Sequence, residues 1–138
     1  MTHYKQLLDP GKYLGPQDFT TPREVTISRI TRETVKGRGD EPEAAFPMLY
    51  ILAKDGTEYP RPYKVPKSVL YGLSIALGTN ADDWKGKKIT LMSAWCMAFG
   101  DKEEAVRVKF EAGIDAKIVK WMKKRKASAS AYMITNNA

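Results

Sequence analysis

The chain has 138 residues, 43% of them hydrophobic, which suffices for one cored domain and excludes a wholly disordered polyelectrolyte. Its 23 Lys and Arg against 16 Asp and Glu give a formal charge of +7, so polyanions are its natural partners. The lone Cys96 excludes an internal disulfide and a zinc cluster, and the lone His3 leaves a Ser/His or Cys/His arrangement without a usable base.

Residues 1–22 contain Pro10, Gly11, Gly15, Pro16 and Pro22, with Tyr13, Leu14 and Phe19 as anchors, and predict an arm laid over a core. The first residues lack the basic-then-apolar pattern of a signal peptide, and no apolar run reaches membrane-spanning length. The expectation is a soluble, cytoplasmic protein with no membrane partner. Glu24–Val35 reads as a strand in which Val25 and Ile27 face one way and Ile30 breaks the alternation, predicting a β-bulge near Ser28-Arg29. The segment from Lys36 to Pro47 is a polar Gly/Pro loop. A second strand, Met48–Lys54, ends in an Asp55-Gly56 hairpin that leads into the extended segment Tyr59–Val65.

Val69, Leu70, Leu73, Ala76 and Leu77 fall at helical spacing, predicting a helix from Ser68, as its cap, to Leu77, closed by Gly78. The run from Asn80 to Trp84 reads as one further turn, with Trp84 in the core. Lys87–Met92 and Ala105–Phe110 read as the last two strands, joined by a loop over Trp95–Lys102. Gly113–Lys126 reads as an amphipathic helix with Ile114, Ile118, Trp121 and Met122 inward and its lysines in the last turn, which suits the helix dipole.

Strand, strand, strand, helix, strand, strand is the order of an OB-fold: an all-β, five-stranded Greek-key barrel with a helix between strands three and four. The predicted plan is an N-terminal arm over 1–22, the barrel over 23–112, an appended basic helix over 113–126 and a flexible tail over 127–138.

Several segments carry a resemblance. Lys12-Tyr13-Leu14-Gly15-Pro16-Gln17-Asp18, Val25-Thr26-Ile27, the run from Asp82 to Leu91 around Trp84-Lys85-Gly86-Lys87, and Ala105-Val106-Arg107-Val108 resemble a family of small phage-encoded, OB-fold-like proteins. Members often lie near replication and recombination genes. The resemblance implies a role in single-stranded DNA binding, with phage or host replication and recombination proteins as further partners. The chain departs from the family at Arg61-Pro62-Tyr63-Lys64, where a Lys-Pro and an Asn-rich helix start are expected.

An OB-fold binds ligands across the outer face of strands two and three, flanked by the loops after strands one and four. Tyr59, Arg61 and Tyr63 alternate, so an extended backbone would place them in one aromatic–cation–aromatic row able to stack bases and hold phosphates. Tyr50 joins that row, with Lys36 and Arg38 in the first flanking loop and Trp95, Phe99 and Lys102 in the other. Lys88, Arg107 and Lys109 face outward on the last strands. Lys120, Lys123 and Lys124 extend the phosphate path, or are simply the solvated end of a helix. Each aromatic also has a plainer reading: Tyr50 under the terminal helix, Trp95 filling a barrel end, Phe46 anchoring its loop. Asp82-Asp83 point apart on a turn and suit capping better than metal binding. Gly37-Arg38-Gly39 lacks the Gly-Lys-Ser/Thr of a phosphate-binding loop. The chain therefore reads as a non-enzymatic, cofactor-free binder of single-stranded DNA or RNA, acting as one chain or as a homo-oligomer. The competing class is a protein-interaction adaptor that pairs another chain along an exposed Tyr59–Val65 edge.

Overall fold

The computed structural model describes residues 11–35 and 42–134. Five strands form one antiparallel, open sheet: β1 (Arg23–Val35), β2 (Ala44–Leu52), β3 (Tyr63–Lys64), β4 (Lys88–Ala98) and β5 (Asp101–Val108), in the order β3-β2-β1-β4-β5. Helix α1 (Lys67–Leu77) connects β3 to β4, and α2 (Ala112–Lys124) follows β5. The fold is mainly β with two helices.

The long β1 serves two neighbours. Arg23–Thr26 pair with β4, whereas the stretch from Thr26 to Val35 pairs with β2, and the register slips between Ile27 and Arg29. The predicted bulge is at that slip. It keeps Val25, Ile27 and the partly buried Ile30 on the core side while the strand bends. Leu49, Ile51, Leu91, Val106 and Val108 complete the inner face, and Val69, Leu73 and Ile118 bring both helices onto it.

Several expected features are present. Gly56 (φ 87°) turns the predicted hairpin, Gly78 ends α1, and Trp84 is buried with its indole N–H donating to the Gly78 carbonyl at 2.8 Å. Gly72 gives α1 room to pack: a Cβ there would lie 2.5 Å from the Phe110 ring and 2.7 Å from Ile118 Cδ1.

Others need correction. Ser68 does not cap α1; Pro66 holds the N-cap position and Ser68 is buried. Regular strand along the Tyr59–Val65 edge shrinks to the two residues of β3, because Pro60 and Pro62 cannot donate to a ladder, although the Tyr59 and Val65 N–H groups still donate to Ile51 and Pro47 of β2. β2 begins at Ala44, so Phe46 belongs to a strand and not to a loop. Trp95–Lys102 is not a loop either: β4 and β5 pair from Leu91–Val108 out to Ala98–Asp101, leaving a two-residue turn at Phe99-Gly100.

The tail is also folded as far as residue 134. Tyr132 is buried and its hydroxyl donates to Asp115 at 2.6 Å, while the Ile134 N–H donates to the Trp95 carbonyl. Together with the Ser93 N–H donating to Phe19, this covers the edge of β4 that β1 leaves free. Among the described residues no helix is long and apolar enough to cross a membrane, and no cluster of three or more His, Cys, Asp or Glu could hold a metal.

Candidate nucleic-acid interface

The predicted row does not survive as a surface. Leu49 of β2 pairs with Tyr63, which fixes Tyr63 and Val65 inward and Lys64 outward, the reverse of the expected alternation. A slip of one residue exchanges the faces of a strand. Tyr63 is 3% exposed, and its hydroxyl donates to the Val106 carbonyl at 2.7 Å, tying the two edge strands together. Burial pushes its phenol well above the usual tyrosine range. Arg61 holds the arm instead of a ligand: its guanidinium donates to the Tyr13 carbonyl and to Asp18 Oδ1, both at 3.0 Å. Tyr59 is half-buried and stacks on Phe19 at 6.0 Å.

Arg107 is corrected as well. It is 5% exposed, and its guanidinium donates to the carbonyls of Tyr132 (2.7 Å), Val106 (2.9 Å) and Ala131 (3.3 Å). A buried guanidinium is tolerable only with such partners, so Arg107 is a clamp for the C-terminal segment. Lys36 and Arg38 lie outside the described residues. Lys88 and Lys109 are exposed and flank a groove with Ile75, Leu77 and Phe110; Lys88 also pairs with Thr26 of β1, which pairs in turn with Leu52 of β2.

What the fold does assemble is the outer face of the β1–β2–β3 half. After the bulge, Arg29, Thr31 and Glu33 point outward opposite Tyr50, Met48 and Phe46, and Lys64 pairs with Met48 from the other side. The Arg29 guanidinium lies 3.9 Å from the Tyr50 ring centroid, and Lys64 Nζ lies 3.8 Å from that of Phe46 and 5.7 Å from that of Tyr13. All three rings are partly exposed. Of this set only Tyr50 was expected. Met48 is buried at the centre and has no place in the main core cluster, so this face has a small apolar floor of its own.

Two acids sit at this face: Glu58, 3.5 Å from the Arg29 guanidinium, and Glu33 among the rings. Glu33 Oε2 accepts from Thr31 and from Tyr50, each at 2.6 Å. The Thr31 and Tyr50 hydrogen bonds hold its carboxyl below the usual range, and the same bond raises the Tyr50 phenol. Glu33 thus fixes the tilt of the Tyr50 ring and carries a charge that Arg29 partly offsets.

Comparison with protein-family models, with curated proteins and with solved structures finds no match.

Two further surfaces stand apart. The β4–β5 hairpin brings Lys102 within 5.1 Å of the Trp95 ring, as a stacking site would need, but Asp101, Glu103 and Glu104 surround Lys102 in sequence and make the hairpin acidic. On α2, Lys117, Lys120, Lys123 and Lys124 are exposed, with Arg125 and Lys126 directly after. Trp121 docks that helix by stacking on Tyr71 (4.8 Å, 10°), and Arg125 lies 4.8 Å from the Trp121 ring.

Proposed function

We propose that this protein binds single-stranded nucleic acid, DNA first, with little sequence preference, on the outer face of β1–β2–β3. The observation that carries the reading is the pairing of cations with part-exposed rings on one face: Arg29 on Tyr50, and Lys64 on Phe46 and Tyr13. A ring of this kind offers any base a face to stack on; Lys64 needs a rotamer change to meet the adjoining phosphate, and Arg29 must in addition leave its exposed ion pair with Glu58 (3.5 Å). The α2 lysines supply further phosphate contacts and with them a salt-sensitive share of affinity. In this reading the sheet is an OB-like barrel, closed between β3 and β5 by the Tyr63–Val106 bond, and its ligand face is the one such barrels use. The family resemblance would place the chain in phage replication or recombination.

The test is a fluorescence titration with oligo-dT at two salt concentrations. Ring quenching that weakens steeply with salt supports the reading. The absence of any change at low salt refutes it and leaves the adaptor class.

A further inference from the structure

The tip of the β4–β5 hairpin carries a residue with no work to do inside its own chain. Phe99 is 103% exposed, and it occupies the left-handed region (φ 52°) beside Gly100 (φ 83°) in a two-residue turn. Both positions of such a turn demand positive φ and favour Asn, Asp or Gly, so a phenylalanine there is sterically unfavourable and buries nothing. Asp101 and Glu103 follow it, both exposed, and their alternation places them on one face of β5. The tip is an aromatic knob with two carboxylates behind it.

Between α1 and α2 lies the complementary shape. A groove of about 460 Å³ is walled by Leu70, Tyr71, Trp84 and Trp121, with Lys67 and Arg125 contributing positive charge and no carboxylate in its lining. Stacking on its tryptophans is largely closed. Trp84 is buried, and Trp121 has Tyr71 against its ring on one contact and Arg125 on another. The groove therefore suits an apolar side chain accompanied by negative charge better than it suits a nucleobase.

We propose that the occupant is a second copy of this chain: the Phe99 tip of one molecule seats between α1 and α2 of the next, with Asp101 and Glu103 against Lys67 and Arg125. Knob and groove are different surfaces, so the contact is head-to-tail. Repeated, it generates a ring or an open filament and not a closed two-fold dimer. The contact does not depend on the nucleic-acid reading, since it forms from protein surfaces alone.

Sedimentation velocity over a wide concentration range, without nucleic acid, tests it. The parent should show concentration-dependent growth beyond a dimer. Phe99→Ser, which removes no core contact, should weaken self-association by about tenfold or more with unchanged thermal unfolding. The Asp101→Lys/Glu103→Lys variant and the Lys67→Glu/Arg125→Glu variant should each be monomeric alone, and their equimolar mixture should assemble again because each tip then meets a groove of opposite charge. A parent that stays monomeric throughout overturns the proposal, as does self-association of undiminished strength in Phe99→Ser. A monomeric parent whose Lys67→Glu/Arg125→Glu variant loses oligo-dT affinity would give the groove to nucleic acid instead.

Discussion

Tyr63 separates a residue that reads as a ligand contact from one that holds the fold. Its ring is buried among core residues and its hydroxyl donates to the Val106 carbonyl, which also accepts from Arg107 at 2.9 Å. Tyr63→Phe therefore leaves the carbonyl with a partner, and the loss should be near that of one ordinary hydrogen bond, about 1 kcal/mol. Tyr63→Ala deletes a buried ring and should cost about 3–5 kcal/mol. With a urea m-value of about 2 kcal/mol/M, the midpoint should fall by about 0.5 M for Phe and about 2 M for Ala. Oligo-dT affinity, measured well below the unfolding transition, should match the parent in Tyr63→Phe. A Tyr63→Ala variant that keeps the parent's midpoint while binding weakens about tenfold, the effect of removing a stacking ring, would make Tyr63 a ligand contact instead.

Glu33→Gln removes the carboxylate bonded to Tyr50, leaving Glu58 on Arg29, and should tighten oligo-dT binding by a factor of about three at low salt, with the gain shrinking as salt rises. Because the folded carboxyl is depressed, its bond to Tyr50 contributes above the ordinary value of 4.5 and is lost as pH falls through the lower folded value, so Tyr50 ring resonances should shift only below pH 4.5 and not at all in that variant. Replacing Lys120, Lys123, Lys124 and Lys126 by glutamine should flatten the log–log salt slope of binding by about 3, at about 0.7 per phosphate contact, and an unchanged slope would return the cluster to a solvated helix end. Truncation after Ala127 should be strongly destabilising, on the order of 4 kcal/mol from Tyr132 burial alone, with Arg107 also losing two carbonyl partners; a truncated chain with the parent's urea midpoint would contradict the clamp.

The parts of the fold that local rules govern were legible. The slip from Ile27 to Ile30 marks the bulge, Asp55-Gly56 marks the hairpin, and Trp84 lies in the core as its position after a turn suggests. The outward set near Pro60 and Pro62 was not. Alternation there assumes an extended backbone throughout, whereas only Tyr63–Lys64 is strand and the Leu49–Tyr63 pairing sets the register. Phe46, flanked by Ala45 and Pro47, looks like loop and reveals its role only once Glu33 lies across from it. Arg107 alternates outward on paper; its partners are backbone carbonyls, two of them 24 and 25 residues away, which no periodicity reports. The folded tail had a signal in the run Tyr132-Met133-Ile134, outweighed by the small residues before it. Phe99-Gly100 is an uncommon turn pair, so the hairpin looks like a loop around exposed aromatics.

The central claim is that the outer face of β1–β2–β3 stacks bases. The most direct measurement is oligo-dT affinity of the Phe46→Ala/Tyr50→Ala double variant at low salt, beside its urea midpoint. Stacking contributes roughly 1–3 kcal/mol per base, so the loss of two rings should weaken binding at least about thirtyfold while the midpoint moves far less than for Tyr63→Ala. A folded double variant that binds as tightly as the parent would contradict the claim.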